Sequence, residues 1–137
     1  MGLKRGVRLY IESELRDYDS TKKEWEQLQT DVIYSSGGGD DSGIRGTDVG
    51  APTERKALKL ITNRRLSQLE RTIKAFEKVM MNLTEDMYRL VQMKYWDLPR
   101  TLTDDGIALE LHIDKRTLYR YTNGILLALA KEMGVVD

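Results

Sequence analysis

The chain has 137 residues, room for one ordinary core or a small domain with an appendage. Basic and acidic side chains number 22 each, and apolar residues at 40% with charged ones at 32% fit a folded helical protein and not a disordered tail. The lack of Cys excludes disulfides and thiolate metal sites, and the single His excludes multi-His metal sites.

Residues 7–18 place Val7, Tyr10, Ile11, Glu14 and Tyr18 on one helical side, with Leu15 beside them, which predicts a short amphipathic helix. Asp19 or Ser20 is expected to cap a second helix over 21–34, whose apolar face is Trp25, Leu28, Val32 and Ile33. The two read as a helical hairpin or as one helix broken near Asp19. Residues 35–51 are Gly-rich with almost nothing to bury, so they read as a flexible linker spanning roughly 20 Å. A phosphate-cradling loop is excluded there, because no Gly-Lys-Ser/Thr follows and no strand precedes.

Pro52 suits the first turn of a helix. Downstream, Leu66, Leu69, Ile73, Phe76, Met80 and Leu83 recur at alternating spacings of three and four, a heptad seam with Leu58 and Ile61 upstream. A helix over 52–83 is roughly 45 Å long. Its upstream part must meet the N-terminal helices or another copy of the chain. Charge is uneven along the sequence: residues 51–83 carry eight basic and three acidic side chains, while 1–50 and 84–137 are net acidic. Local patches decide attraction to a polyanion. Arg55, Lys56, Lys59, Arg64, Arg65, Arg71 and Lys74 are either a solvated face or an edge that follows a DNA backbone.

Residues 84–137 read as three more helices. Thr84 caps the first, with Met87, Leu90, Val91 and Tyr95 as its buried stripe, and Pro99 is expected to end it. Thr103 caps the second, Asp104 to Leu111, with Ile107, Ala108 and Leu111 turned inward. His112 and Ile113 make a short turn, and Asp114 caps a third helix from Lys115 that Gly134 closes in a left-handed conformation. Asn123-Gly124 reads as a kink or a break in it. The run 125–130 is apolar all round and needs cover on two sides; at six residues it is far too short to span a membrane.

This spacing has the logic of a helix-turn-helix. Ala108 is small where two steeply crossing helices approach, Ile113 plugs the turn, and Leu118 and Tyr121 anchor the second helix. His112 stands where such a turn usually has Gly. Lys115, Arg116, Thr117, Tyr119 and Arg120 then offer donors to base edges and phosphates.

The stretch MYRLVQMKYW followed by TDDGIALELHIDKRTLYRYTNGILLALAKEMG resembles region 4 of bacterial σ factors. The whole arrangement is similar to phage-encoded transcriptional regulators of the RinA/ArpU type, over residues 53–134 in sequence and over 1–50 in architecture only. The resemblance implies an all-α chain with an N-terminal helical segment at 1–34, a linker at 35–51, a long basic helix at 52–83 and a helix-turn-helix domain at 84–137. It implies activation of phage late or packaging genes, double-stranded DNA as ligand, host RNA polymerase as partner, and the cytoplasm of a host bacterium as location.

His112 reads as a turn residue, and Trp25 and Trp96 as packing anchors. Asp40-Asp41 falls in the linker and Asp104-Asp105 at a helix start, where acids are expected anyway. No nucleophile-base pair, metal cluster or nucleotide loop is visible, so neither catalysis nor a cofactor is expected. The expectation is a DNA-binding regulator that forms homo-oligomers and reads a major groove from Lys115, with Lys56, Lys59, Arg64 and Arg65 assisting. A phage small terminase subunit is the first alternative; eight or more copies in solution would favour it, and two to four the regulator. A protein-binding module that never grips DNA is the second.

Overall fold

The computed structural model describes residues 2–37, 52–97 and 100–136. All regular secondary structure among the described residues is helical, with no strand among them. In chain order the helices are α1 (Arg5–Arg16), α2 (Tyr18–Gly37), α3 (Pro52–Met81), α4 (Glu85–Val91), a π-helical turn (Gln92–Trp96), α5 (Asp104–Leu111) and α6 (Lys115–Glu132). From residue 38 the expected linker lies outside the described residues, as does Pro99. Two compact units divide the chain: Met1–Tyr18 with Ile73–Asp137, and Asp19–Thr72. They cut it elsewhere than its charge seams do.

In the first unit, Ile11 and Leu15 of α1, Phe76 and Val79 of α3, Leu90 and Val91 of α4, Ile107 and Leu111 of α5, and Leu118, Leu126 and Leu129 of α6 share one buried cluster. The apolar run at 125–130 is covered by α1 on one side and α4 on another. Phe76 and Val79 of the long helix belong to the same cluster, and Lys78 of that helix bridges to Glu132 at the end of α6 at 3.2 Å. Phe76, Tyr18, Trp96 and Tyr88 continue the cluster as an aromatic series with successive centroids 5.0, 5.9 and 5.8 Å apart. Trp96 is an anchor as expected: its indole N–H donates to the Leu15 carbonyl at 2.9 Å.

Two expectations for local structure are corrected, and one helix departs from regular geometry. The helix after Thr84 is over before Leu98. It widens into the π turn after Val91 and stops at Asp97, whose backbone is extended (φ −78°, ψ 122°) and whose amide reaches back to the Gln92 carbonyl at 2.8 Å. The wider turn sets two adjacent residues against α1, Tyr95 through its hydroxyl and Trp96 through its indole. The break between the first two helices comes at Asp17 (φ −90°, ψ 6°), so Asp19 and Ser20 lie inside α2 and cap nothing. Finally, α6 passes through Asn123-Gly124 without interruption.

The inward side of α1 also differs. Glu12 is buried, while Tyr10 is 46% exposed. A buried carboxylate needs partners. The Tyr95 hydroxyl donates to Glu12 at 2.7 Å, and the Arg8 guanidinium lies 3.8 Å from it. Burial, and then the Glu12 carboxylate, push the Tyr95 phenol far above its ordinary range.

Gly124 is exposed in mid-helix, and a methyl group built there meets no atom within 4 Å. Gly124→Ala should therefore raise unfolding free energy by about 1 kcal/mol, through helix propensity alone. Urea denaturation checks this; an unchanged or lowered midpoint would contradict it.

In the second unit, α2 and the upstream part of α3 are joined by Arg65, whose guanidinium gives Glu24 two hydrogen bonds at 2.8 and 2.9 Å. The heptad seam fades upstream along α3: Leu69 is 3% exposed, Leu66 half-buried, and Ile61 and Leu58 are 62% and 63% exposed.

Candidate nucleic-acid interface

The segment Thr103–Arg120 is built by local signals that agree with one another. The Thr103 hydroxyl accepts from the Gly106 amide at 3.2 Å and starts α5. At the far end His112 adopts a left-handed conformation (φ 56°, ψ 42°). The Ile113 amide then reaches the Ala108 carbonyl at 3.0 Å and the His112 amide the Leu109 carbonyl at 3.1 Å, which closes the helix in a Schellman motif. A non-glycine residue is uncommon in this conformation, and His is among those that adopt it. Ile113 packs against the buried cluster, as the plug of the turn should. Asp114 accepts from the Thr117 amide at 2.7 Å and starts α6.

Asp104 anchors the start of α5 to the preceding segments. Lys94 reaches it at 3.2 Å and Arg100 at 2.8 Å, while the Arg100 Nε donates to the Leu102 carbonyl at 2.7 Å. Partial burial alone would raise the Asp104 carboxyl, but hydrogen bonds and attraction from Lys94 and Arg100 outweigh it and hold the group below its ordinary range. The Asp114 carboxyl is likewise lowered, first by hydrogen bonds from Thr117, side chain then backbone, with Arg116 and Arg120 adding attraction. Both groups start from an ordinary value of 3.8 in the unfolded chain. The stability they contribute is thus complete above that value and is lost as pH falls through their lower folded values. Acid titration should loosen the starts of α5 and α6 there. Amide exchange at Gly106 and Thr117 checks this; protection that persists below both carboxyl values would contradict it.

Three of the five candidate residues on α6, Arg116, Tyr119 and Arg120, share one exposed surface. At helical spacing Arg116 and Arg120 are one turn apart on the side away from buried Leu118, Thr122 and Ile125. Both are exposed, and Tyr119 beside them is 57% exposed. Thr117 is half-buried with its amide engaged by Asp114. Lys115 is exposed but bridged to Asp105 at 3.2 Å, so it leans toward α5. Tyr121 packs on the cluster. From Lys115 to Lys131, α6 carries four cations and no acid before Glu132.

Lys56, Lys59, Arg64 and Arg65 belong to the other compact unit and are exposed on α3. The helix sorts them. Lys56, Arg64 and Arg71 share the side away from Leu66 and Leu69, whereas Lys59 and Arg65 border that apolar side. Arg65 is engaged by Glu24, whose carboxyl its hydrogen bond holds below the ordinary range.

One residue beside the α6 surface has no sequence signal. Arg8 of α1 donates from Nη1 to the Asn123 Oδ1 at 2.6 Å, across 115 positions of sequence. Asn123 lies one turn beyond Tyr119. The lone His112 is exposed on its turn, and the described residues include no group of three or more His, Asp or Glu able to hold a metal ion. No helix among them is long and apolar enough to cross a membrane.

No curated protein and no solved structure matches the chain. A family model described as a protein of unknown function, DUF722, matches residues 10–131, from α1 to the last turn of α6. The chain belongs to the DUF722 family.

Proposed function

We propose that the chain is a sequence-specific, double-stranded DNA-binding transcriptional regulator and not an enzyme. In this reading α5, its turn and α6 act as a helix-turn-helix like that of σ-factor region 4, and α6 enters the major groove by its first two turns. The supporting observation is the exposed cationic surface of Arg116, Tyr119 and Arg120 on a helix whose frame is fixed by two caps and a Schellman turn. Arg116 and Arg120 are the base-reading candidates, Lys115 and Thr117 border them, and Lys56, Lys59 and Arg64 supply backbone affinity. By the resemblance to RinA/ArpU-type regulators, the targets are late or packaging genes of a phage and the action is activation with host RNA polymerase. A second copy would cover Leu58 and Ile61, which continue the heptad seam into solvent.

A binding isotherm on duplex fragments of the encoding genome, repeated over a salt series, tests the reading. Affinity should fall with salt by a log–log slope of about −0.9 per phosphate contacted, and one fragment should compete best. A signal insensitive to salt and sequence would overturn it. That result would favour the protein-binding alternative, which has one observation behind it: Leu109 is 76% exposed on the outer side of α5, one turn from Asp105.

A further inference from the structure

Resting on the DNA reading, we infer that the N-terminal segment Leu3–Arg8 is a second contact of the same interface, seating a backbone phosphate beside α6. The first eleven residues hold Lys4, Arg5 and Arg8 and no acid before Glu12. Lys4 and Arg5 are exposed and form no ion pair among the described residues. Arg8 carries this segment to α6 through its 2.6 Å hydrogen bond to Asn123. Its guanidinium also lies 3.8 Å from Glu12, yet 30% of its side chain remains accessible.

Between the two elements is a notch of about 110 Å³ lined by Gly2, Leu3, Arg8, Asn123, Gly124 and Leu127, with no acid in its wall. Gly124 is the unexplained member. It weakens α6, and no neighbour within the chain requires the missing side chain. A glycine lets another backbone approach closely, and here the approaching group would be an anion. The chemistry of the notch, one guanidinium and an amide, with exposed Lys4 and Arg5 following lining residue Leu3 in sequence, suits a phosphodiester. It carries no base-edge geometry, so it adds affinity and register without sequence preference.

The test is duplex binding by the full chain over a salt series, using the preferred duplex and a scrambled one. Lys4→Ala with Arg5→Ala, and separately Gly124→Glu, should each weaken both duplexes by the same factor and reduce the salt slope, leaving their ratio intact. Glu is a better helix former than Gly, so the second variant keeps α6, and circular dichroism verifies it. An unchanged slope and affinity in folded variants, while wild type still prefers one duplex, would overturn this contact alone. Wild type without salt-dependent preference would instead overturn the DNA reading beneath it. A variant that alters the ratio between duplexes would also overturn the contact as described, since it would then be reading bases.

Discussion

Phe76→Ala should cost about 3–5 kcal/mol, the range for deleting a fully buried aromatic side chain. Phe76 has no exposure, belongs to the core cluster, and stacks on Tyr18 with centroids 5.0 Å apart. Its loss removes the aromatic link between α3 and Tyr18 at the start of α2, and with it part of the cluster against which α6 packs. A domain of this size has about 5–15 kcal/mol in total, so the variant should unfold at much lower urea, with DNA binding lost in parallel. Chemical denaturation followed by Trp fluorescence checks it. A shift of the midpoint equivalent to under 1 kcal/mol would mean that Phe76 is not a core residue of the folded chain.

Arg116→Ala should reduce binding to the preferred duplex by about 5- to 150-fold, equivalent to the 1–3 kcal/mol of a bidentate guanidinium–base contact. It should leave binding to scrambled duplex nearly unchanged. Arg116 is exposed on the first turn of α6, and its charge is not needed to fold that turn, because Asp114 caps it through Thr117. Lys56→Ala or Arg64→Ala should behave differently, with a small and uniform loss on both duplexes. Lys115→Ala should cost less than Arg116→Ala, since Lys115 must first leave Asp105, 3.2 Å away. Competition binding with each variant measures these ratios. Equal losses on both duplexes for Arg116→Ala would reassign it to the backbone.

What could be read from the sequence was local in origin. Thr84, Thr103 and Asp114 are caps because their side chains reach an amide three residues on, and no distant partner is involved. The span of α5, Asp104–Leu111, and the buried trio Ile107, Ala108 and Leu111 follow from those caps and from helical period. Gly134 (φ 75°) ends the last helical segment as its missing Cβ suggests. The seam of α3 was legible by spacing, though spacing does not say where a seam loses its cover, and Leu58 and Ile61 have none among the described residues.

What was not legible depends on contacts between distant segments. Glu12 looks like a surface acid until Tyr95, 83 positions away, donates to it. Helical period favoured Glu14 because it ignores partners. The π turn could not be read either: nothing in QMKYW demands it, and its adjacent Tyr95 and Trp96 are held only by α1. The same holds at the candidate interface. Arg116, Tyr119 and Arg120 could be found by position on a helix, whereas Arg8 reaches that surface only through the packing of α1 on α6. Arg65 illustrates the converse. Its charge marked it as a DNA contact, and the fold gives it Glu24.

The most direct measurement is selection of duplexes from a random library by the wild-type chain at physiological salt, followed by its affinity for the selected site and for a scrambled control. A reading helix that starts at Lys115 predicts a defined consensus and a preference of about 10³-fold or more. No consensus, or affinities within a few fold of each other, would contradict it.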